Sequence, residues 1–196
     1  MAQAVWPRNT RVRSAAVVRD GALIVGFSLF TALAAQVSLH LPLVPITGQT
    51  FAVLLTGALL GPRLGAATMA IYLAEGLCGL PVFAEWHNAW TPSVMGCPTI
   101  VGPTAGYLVA FPVAAWLIGK LTQQGWDRKP ITMGSAMLLS SGVIFLIGGI
   151  WMTHLFGLHA AITSGIAPFI PGDIIKAALA AVLLPAGWKA LGTRGA

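Results

Sequence analysis

The stretch at 165–184, GIAPFIPGDIIKAALAAVLL, is apolar nearly throughout, yet it holds Asp173 and Lys176. As a helix it is long enough to cross roughly 30 Å of hydrocarbon. No other candidate membrane segment of the chain carries both signs of charge. Three residues apart on a helix, the two side chains occupy neighbouring positions of one face. A charge inside a bilayer costs several kcal/mol unless it is paired, hydrated or bound to a ligand. That face therefore packs against the chain's own core as an internal salt-bridge cluster, or it lines a polar cavity. The second alternative predicts a cavity that holds a small polar or anionic solute.

Working outward, the 196 residues are 57% hydrophobic and 8% charged, with a mean hydropathy of +0.83. A soluble domain usually has about 25% charged residues, so the expected surroundings are a lipid bilayer. The 23 glycines and 13 prolines lie among Leu, Ala and Val, a mixture that suits packed membrane helices rather than disorder. The net charge of +6 is spread over segment ends without a dense basic patch or a recognition fold, which excludes nucleic acid as a partner. Cys78 and Cys97 make no metal framework and read either as small buried residues or as an extracytoplasmic disulfide. Arg8, Arg11, Arg13 and Arg19 precede an apolar run as in a signal peptide. Further apolar segments follow in place of a cleavage site and a soluble domain, so a retained first helix is expected.

The organisation predicted is a basic tail over residues 1–20, a single transmembrane domain over 21–189 and a short tail over 190–196. Apolar segments are expected at about 21–39, 51–60, 64–80, 101–121, 131–152 and 165–184. The second is too short to span alone. Within the first, Ser28/Ala32, Thr31/Ala35 and Ala34/Ser38 place small residues four apart, a ridge that admits another helix of this chain or of a partner. The connection 40–50, HLPLVPITGQT, reads as a turn because of its prolines and glycine. The loop 81–99 gathers Glu85, Trp86, His87, Asn88 and Trp90, either as interfacial aromatics or as the lid or wall of a site.

Basic residues fall before segment one, between two and three, between four and five, and after six, and the other connections have no Lys or Arg. The fold class expected is therefore all-α: a six-transmembrane-helix bundle with both termini cytoplasmic. The turn at 40–50, the loop at 81–99 and the connection at 153–165 then share the outer side. Asp173, Lys176 and Glu75 fall at a similar depth beneath them. Asp173 accepts hydrogen bonds, and Lys176 offers three donors to a carboxylate. Tyr107 and Trp86 are candidates to cover the solute's body, and Gln49 and Thr50 stand near the outer mouth. The sequence contains no HExxH, GxSxG, CxxC or GxxxxGK[ST], so no hydrolase motif or nucleotide-hydrolysing domain is expected. An intramembrane lipid-modifying enzyme and a channel are the weaker alternatives; no metal or cofactor is expected.

Three motifs add a resemblance. VPITGQTFAVLLTGALLGPRLGAATMAIYLAEGLCGLPVFA at 44–84, GPTAGYLVAF at 102–111 and PGDIIKAALA at 171–180 resemble the BioY family, the biotin-specific substrate-binding subunits of energy-coupling factor transporters. The resemblance covers about residues 21–185. It implies a six-helix membrane protein that captures biotin from outside, with a transmembrane coupling protein and two cytoplasmic ATPases as partners. It also implies that Asp173 and Lys176 contact the ligand. Ala105 stands where the family's GPTGGYL segment has a glycine, and EWHNAW at 85–90 replaces a glycine-rich segment. Asn88 is the candidate amide contact in that loop. Uptake of another small amphipathic carboxylate is the alternative function.

Overall fold

Apolar runs without a breaker form helices, and glycine and proline mark their ends. The computed structural model describes residues 13–190 and 192. Helix α1 spans Arg13–Gln36, α2 Gln49–Leu60, α3 Pro62–Leu77, α4 Ala105–Gln123 and α5 Pro130–Phe156. A short α6 (Leu158–Ala160), a π turn (Ala161–Ile166) and a 3-10 turn (Ala167–Phe169) lead into α7 (Ile170–Ala190). The chain is mainly helical, and among the described residues four stretches are long and apolar enough to cross a membrane: Ala16–Gln36, α4, α5 and the run Leu158–Ala190. Helix α2 measures ~18 Å at 1.5 Å per residue and falls short of the hydrocarbon thickness.

Helix α4 lies at the centre, packed on α2, α3 and α5; α7 packs on α5, and α1 on α3 and α2. Small residues permit these approaches. A Cβ on Gly119 of α4 would sit 2.6 Å from the Gly61 carbonyl carbon and 2.8 Å from the Gly57 carbonyl oxygen. Only glycine lets the α2–α3 turn rest on α4 this closely. Pro62 opens α3 at a position where its missing N–H costs nothing.

The small-residue ridge of α1 faces inward. Ser28, Thr31 and Ala35 are fully buried, and Ser28 Oγ lies 2.8 Å from Glu75 Oε1 of α3. Of the two occupants the spacing admits, this chain's own helix fills the ridge.

The structure departs from the sequence reading in several places. Helix α1 begins at Arg13, inside the segment read as a tail; residues 1–12 of that tail, and 191 and 193–196 of the other, lie outside the described residues. The 40–50 connection belongs to a small hairpin, with β1 (Ser38–Leu39) antiparallel to β2 (Ile46–Thr47) and Ser38 opposite Thr47. Pro42 and Pro45 forbid a helix there, and the hairpin pairs backbone groups that would otherwise be unsatisfied near apolar surface. The 153–165 connection is mostly helical. Gly157, at φ +84°, is its breaker, so α5 runs on to Phe156. Helix α7 continues through Pro185, where the sequence suggests an end. Its last turn is held from outside by Trp188, whose Nε1 donates to Asp127 Oδ2 at 2.6 Å.

One geometric consequence organises the molecule. The α2–α3 turn rests on the end of α4, and the turn after α4 meets the end of α7. Arg63, Lys120, Arg128, Lys129 and Lys189 therefore gather at one end of the bundle. The hairpin, the loop 81–99 and the starts of α2, α4 and α7 gather at the other.

Candidate functional site

A cavity of about 110 Å³ opens at the end away from the basic residues. The hairpin and the start of α2 supply Thr47, Gln49 and Thr50 to its lining; the loop supplies Phe83, Glu85 and His87. Its floor is apolar, with Phe111, Ile144, Phe145 and Phe169. The hairpin, the loop and the start of α2 arrive with their ends, so backbone and polar side chains meet here, while the interiors of α4 and α5 close the floor.

Phe169 is the hinge of an aromatic wall. Its ring stacks on Tyr107 at 6.4 Å between centroids and tilts against Phe145 at 6.1 Å. Such contacts stabilise ring pairs by about 0.5–1.5 kcal/mol beyond burial. The Tyr107 hydroxyl donates to the Gly165 carbonyl at 2.9 Å, with Met152 Sδ 3.2 Å away. That carbonyl belongs to the π turn, whose wide winding sets Phe169 into the wall. With its hydroxyl engaged, Tyr107 contributes its ring as apolar surface.

Asp173 and Lys176 stand directly behind the lining. Lys176 Nζ donates to the Thr47 carbonyl at 2.9 Å and to Thr50 Oγ1 at 2.7 Å, two residues of the cavity wall. It lies 3.7 Å from Asp173 Oδ1, an ion pair longer than a direct hydrogen bond. Asp173 is 6% exposed, and among the described residues its Oδ2 has no hydrogen-bond partner. A buried carboxylate oxygen with no donor is costly. The pair is therefore incompletely satisfied, and it stands next to the cavity wall through the Lys176 contacts.

The other candidates separate. Gln49 lines the cavity and donates from Nε2 to the Tyr72 hydroxyl at 2.6 Å. Glu75 does not line it: Oε1 takes the Ser28 hydroxyl, and the buried Oε2 has no hydrogen-bond partner among the described residues. Asn88 is spent on its own loop, accepting from the Trp90 and Thr91 amides at 2.9 Å and donating to the Gly79 carbonyl at 3.0 Å. Trp86 is 65% exposed and outside the lining. Sequence reasoning missed Phe169, Thr47 and the contact of His40 with Glu85, where Nδ1 lies 2.6 Å from Oε1 and joins hairpin to loop beside the cavity. The signal for that contact was a lone carboxylate in an outer loop. Phe169 carried none, because an aromatic in an apolar run is ordinary core.

Cys78 and Cys97 are both free; Cys97 Sγ sits 3.3 Å from Ser93 Oγ. Among the described residues no group of three His, Cys, Asp or Glu could hold a metal ion.

Comparison with known proteins follows the same lines. The BioY family model matches residues 7–193. A probable biotin transporter of Pyrococcus horikoshii is 36% identical over 165 residues, spanning 84% of this chain and 93% of the relative. A biotin transporter of Thermotoga maritima is 33% identical over 167 residues, spanning 82% and 92%. A crystal structure of the S-component for biotin from an ECF-type ABC transporter superposes with a TM-score of 0.70 at 25% identity, covering 91% of this chain and 95% of that one. With its apolar helices, the chain is a multi-pass membrane protein, and it belongs to the BioY family.

Proposed function

We infer that this chain captures biotin in the cavity and delivers it across the cell (inner) membrane as the substrate-binding subunit of an energy-coupling factor transporter. It binds and moves its solute and makes or breaks no covalent bond. The observation that carries the reading is the join between the cavity wall and the buried charges: Lys176 grips Thr47 and Thr50, and Asp173 keeps one oxygen without a donor among the described residues. A ureido N–H can supply that oxygen, and a valerate carboxylate can draw the ammonium from its protein acceptors. The aromatic wall and apolar floor suit the bicyclic ring and the aliphatic chain.

The gathering of basic residues at the opposite end supports an orientation with that end cytoplasmic and the cavity outside. Six crossings then follow from α1, α2, α3, α4, α5 and the run Leu158–Ala190, as one transmembrane domain at about residues 21–189 between two cytoplasmic ends. Helix α2 completes its crossing with the hairpin, whose strands pair backbone groups with each other. A transmembrane coupling protein and two cytoplasmic ATPases are the partners in this reading. The inward ridge of α1 leaves them the outward faces of the helices.

Equilibrium binding of biotin and of analogues lacking the ring or the carboxylate to the purified chain tests it. Biotin should bind and both analogues should bind far less. Asp173→Asn and Lys176→Ala should each weaken biotin binding by about 1.5–3 kcal/mol, the usual loss for a hydrogen bond to a charged group. Unchanged affinity in folded protein removes these residues from the site. Preference for another small carboxylate redirects the substrate without changing the architecture.

A further inference from the structure

We propose that Tyr72 is a positioning residue that fixes the polarity of the Gln49 amide, so that Gln49 offers the ligand its carbonyl oxygen and not its amino group. The proposal rests on the reading of the cavity as a biotin site. Tyr72 is fully buried on α3 and does not itself line the cavity. Its hydroxyl lies 2.7 Å from the Val82 carbonyl oxygen and 2.6 Å from Gln49 Nε2. A carbonyl only accepts, so the single hydroxyl proton goes to Val82. The hydroxyl oxygen then acts toward Gln49 as an acceptor, and the part of the amide able to satisfy it is the NH₂ group.

The reversed amide fails on the same count. With the Gln49 carbonyl turned to Tyr72, the hydroxyl has one proton for two acceptors. Val82 is buried, and among the described residues no other donor reaches its carbonyl. An orphaned buried carbonyl is what folded chains avoid. Gln49 Oε1, by contrast, has no hydrogen-bond partner within the described chain, and Gln49 forms part of the cavity wall. The oxygen left for a ligand is an acceptor and selects an N–H, while the second N–H of the amide stays on the nitrogen held 2.6 Å from the buried Tyr72 hydroxyl. The ureido ring of biotin carries two N–H groups. An amide NH₂ in this place would select a carbonyl or a carboxylate instead.

The same hydroxyl ties a second wall. Through Val82 it holds the segment leading to Phe83, whose ring meets Tyr72 edge-on at 5.5 Å and lines the cavity. Tyr72 thus sets Gln49 on α2 and Phe83 in the loop relative to each other.

The test measures equilibrium binding of biotin and of its two analogues methylated singly on a ureido nitrogen. The proteins are the full-length wild type, Tyr72→Phe, Gln49→Met and the double variant. Wild type should discriminate strongly against at least one analogue. Tyr72→Phe should bind biotin about tenfold more weakly, the equivalent of one hydrogen bond, while its affinity for that analogue changes less than about threefold. Gln49→Met should lose the same discrimination, and the double variant should be no worse than Gln49→Met. A Tyr72→Phe protein that weakens for biotin and analogue alike, or for neither, has only a packing role and overturns the proposal. Should Tyr72→Phe fail to fold, Gln49→Met decides: retained discrimination overturns the acceptor role, lost discrimination supports it. A wild type that binds no biotin overturns the substrate reading, and this proposal with it. Intact biotin binding with unmoved discrimination in the variants overturns the relay alone.

Discussion

Helix α2 is left and reached in different ways. At its end the chain turns into α3 through Gly61 alone, and backbone rests on the backbone of α4 around Gly119. At its start it is reached through residues 37–48, with a hairpin of two two-residue strands, two prolines and side chains bonded to backbone. The first end is closed by contacts that leave no room for a methyl group. The second is held by single hydrogen bonds around a space. Close packing resists deformation and has one arrangement; side-chain tethers can be released one at a time. A protein that must admit a solute at one end and stay shut at the other needs both constructions. Substitutions at the closed end should therefore lower stability, and substitutions at the cavity end should alter binding more than stability.

The largest effect expected is at the closed end. Gly119→Val adds a branched side chain where even a Cβ would come within 2.6 Å of the Gly61 carbonyl carbon. The obstacle is backbone, which cannot rotate away, so overpacking should cost about 3 kcal/mol. In detergent-solubilised protein that lowers the thermal midpoint by about 6–12 °C. The surviving folded fraction should bind biotin with wild-type affinity. A large loss of affinity at unchanged stability would mean the two ends are coupled through α4, against the comparison.

A second test at the same end concerns the buried carboxylate of Asp127. Its Oδ2 takes the Trp188 indole N–H, its Oδ1 lies 4.0 Å from Arg128 Nε and has no hydrogen-bond partner among the described residues, and the Arg128 guanidinium carbon lies 3.8 Å from the Trp188 ring centroid. Trp188→Phe keeps an aromatic face for the arginine but removes the donor. The expected loss is about 1.5–3 kcal/mol, the range for a hydrogen bond to a charged group. It should be read as a drop in midpoint with binding unchanged. Trp188→His, which restores an N–H, should recover part of it.

The two ends also differ in how much of them the sequence disclosed. Apolar runs, the Gly61-Pro62 turn and the Asp173–Lys176 spacing are local signals, so the helices and the pair of charges were legible before any coordinates. The composition pointed to a membrane, and the three motifs carried the resemblance to the family. The cavity was legible only as a level, a set of polar residues at a common depth. Which of them face the space depends on side-chain bonds between distant segments. Asn88 carries the donors and acceptors of a ligand contact, yet its oxygen is engaged by the Trp90 and Thr91 amides and one N–H by the Gly79 carbonyl. Glu75 lies at the expected depth but turns to Ser28 on α1. The hairpin was hidden by its prolines, which exclude a helix without announcing a strand. The relay through Tyr72 was out of reach because its polarity comes from the Val82 carbonyl, a backbone atom that no side-chain pattern marks.

The smallest change in stability should come from the tether at the cavity end. The Gln36 amide closes α1 onto the loop: Nε2 donates to the Phe83 carbonyl at 3.0 Å, and Oε1 accepts from the Trp86 amide at 2.9 Å. Between those two points Glu85 and Trp86 both hold φ at 59°, a left-handed conformation that each non-glycine residue adopts at a cost of roughly 1–2 kcal/mol. The loop is thus bent against its own preference, and Gln36 is among the few groups that keep it so; the His40–Glu85 contact is another. Removing the amide with Gln36→Ala should cost about 1 kcal/mol of stability at most, since its bonds are partly exposed. The bent turn should then relax toward extended backbone, carrying Glu85 away from the cavity it lines. Biotin should leave severalfold faster with little change in thermal midpoint, the reverse of the pattern expected for Gly119→Val. Stopped-flow displacement of bound biotin measures the first quantity, and thermal unfolding the second. If dissociation is unchanged, the loop is no barrier to the solute, and the contrast between the ends reduces to one of packing alone.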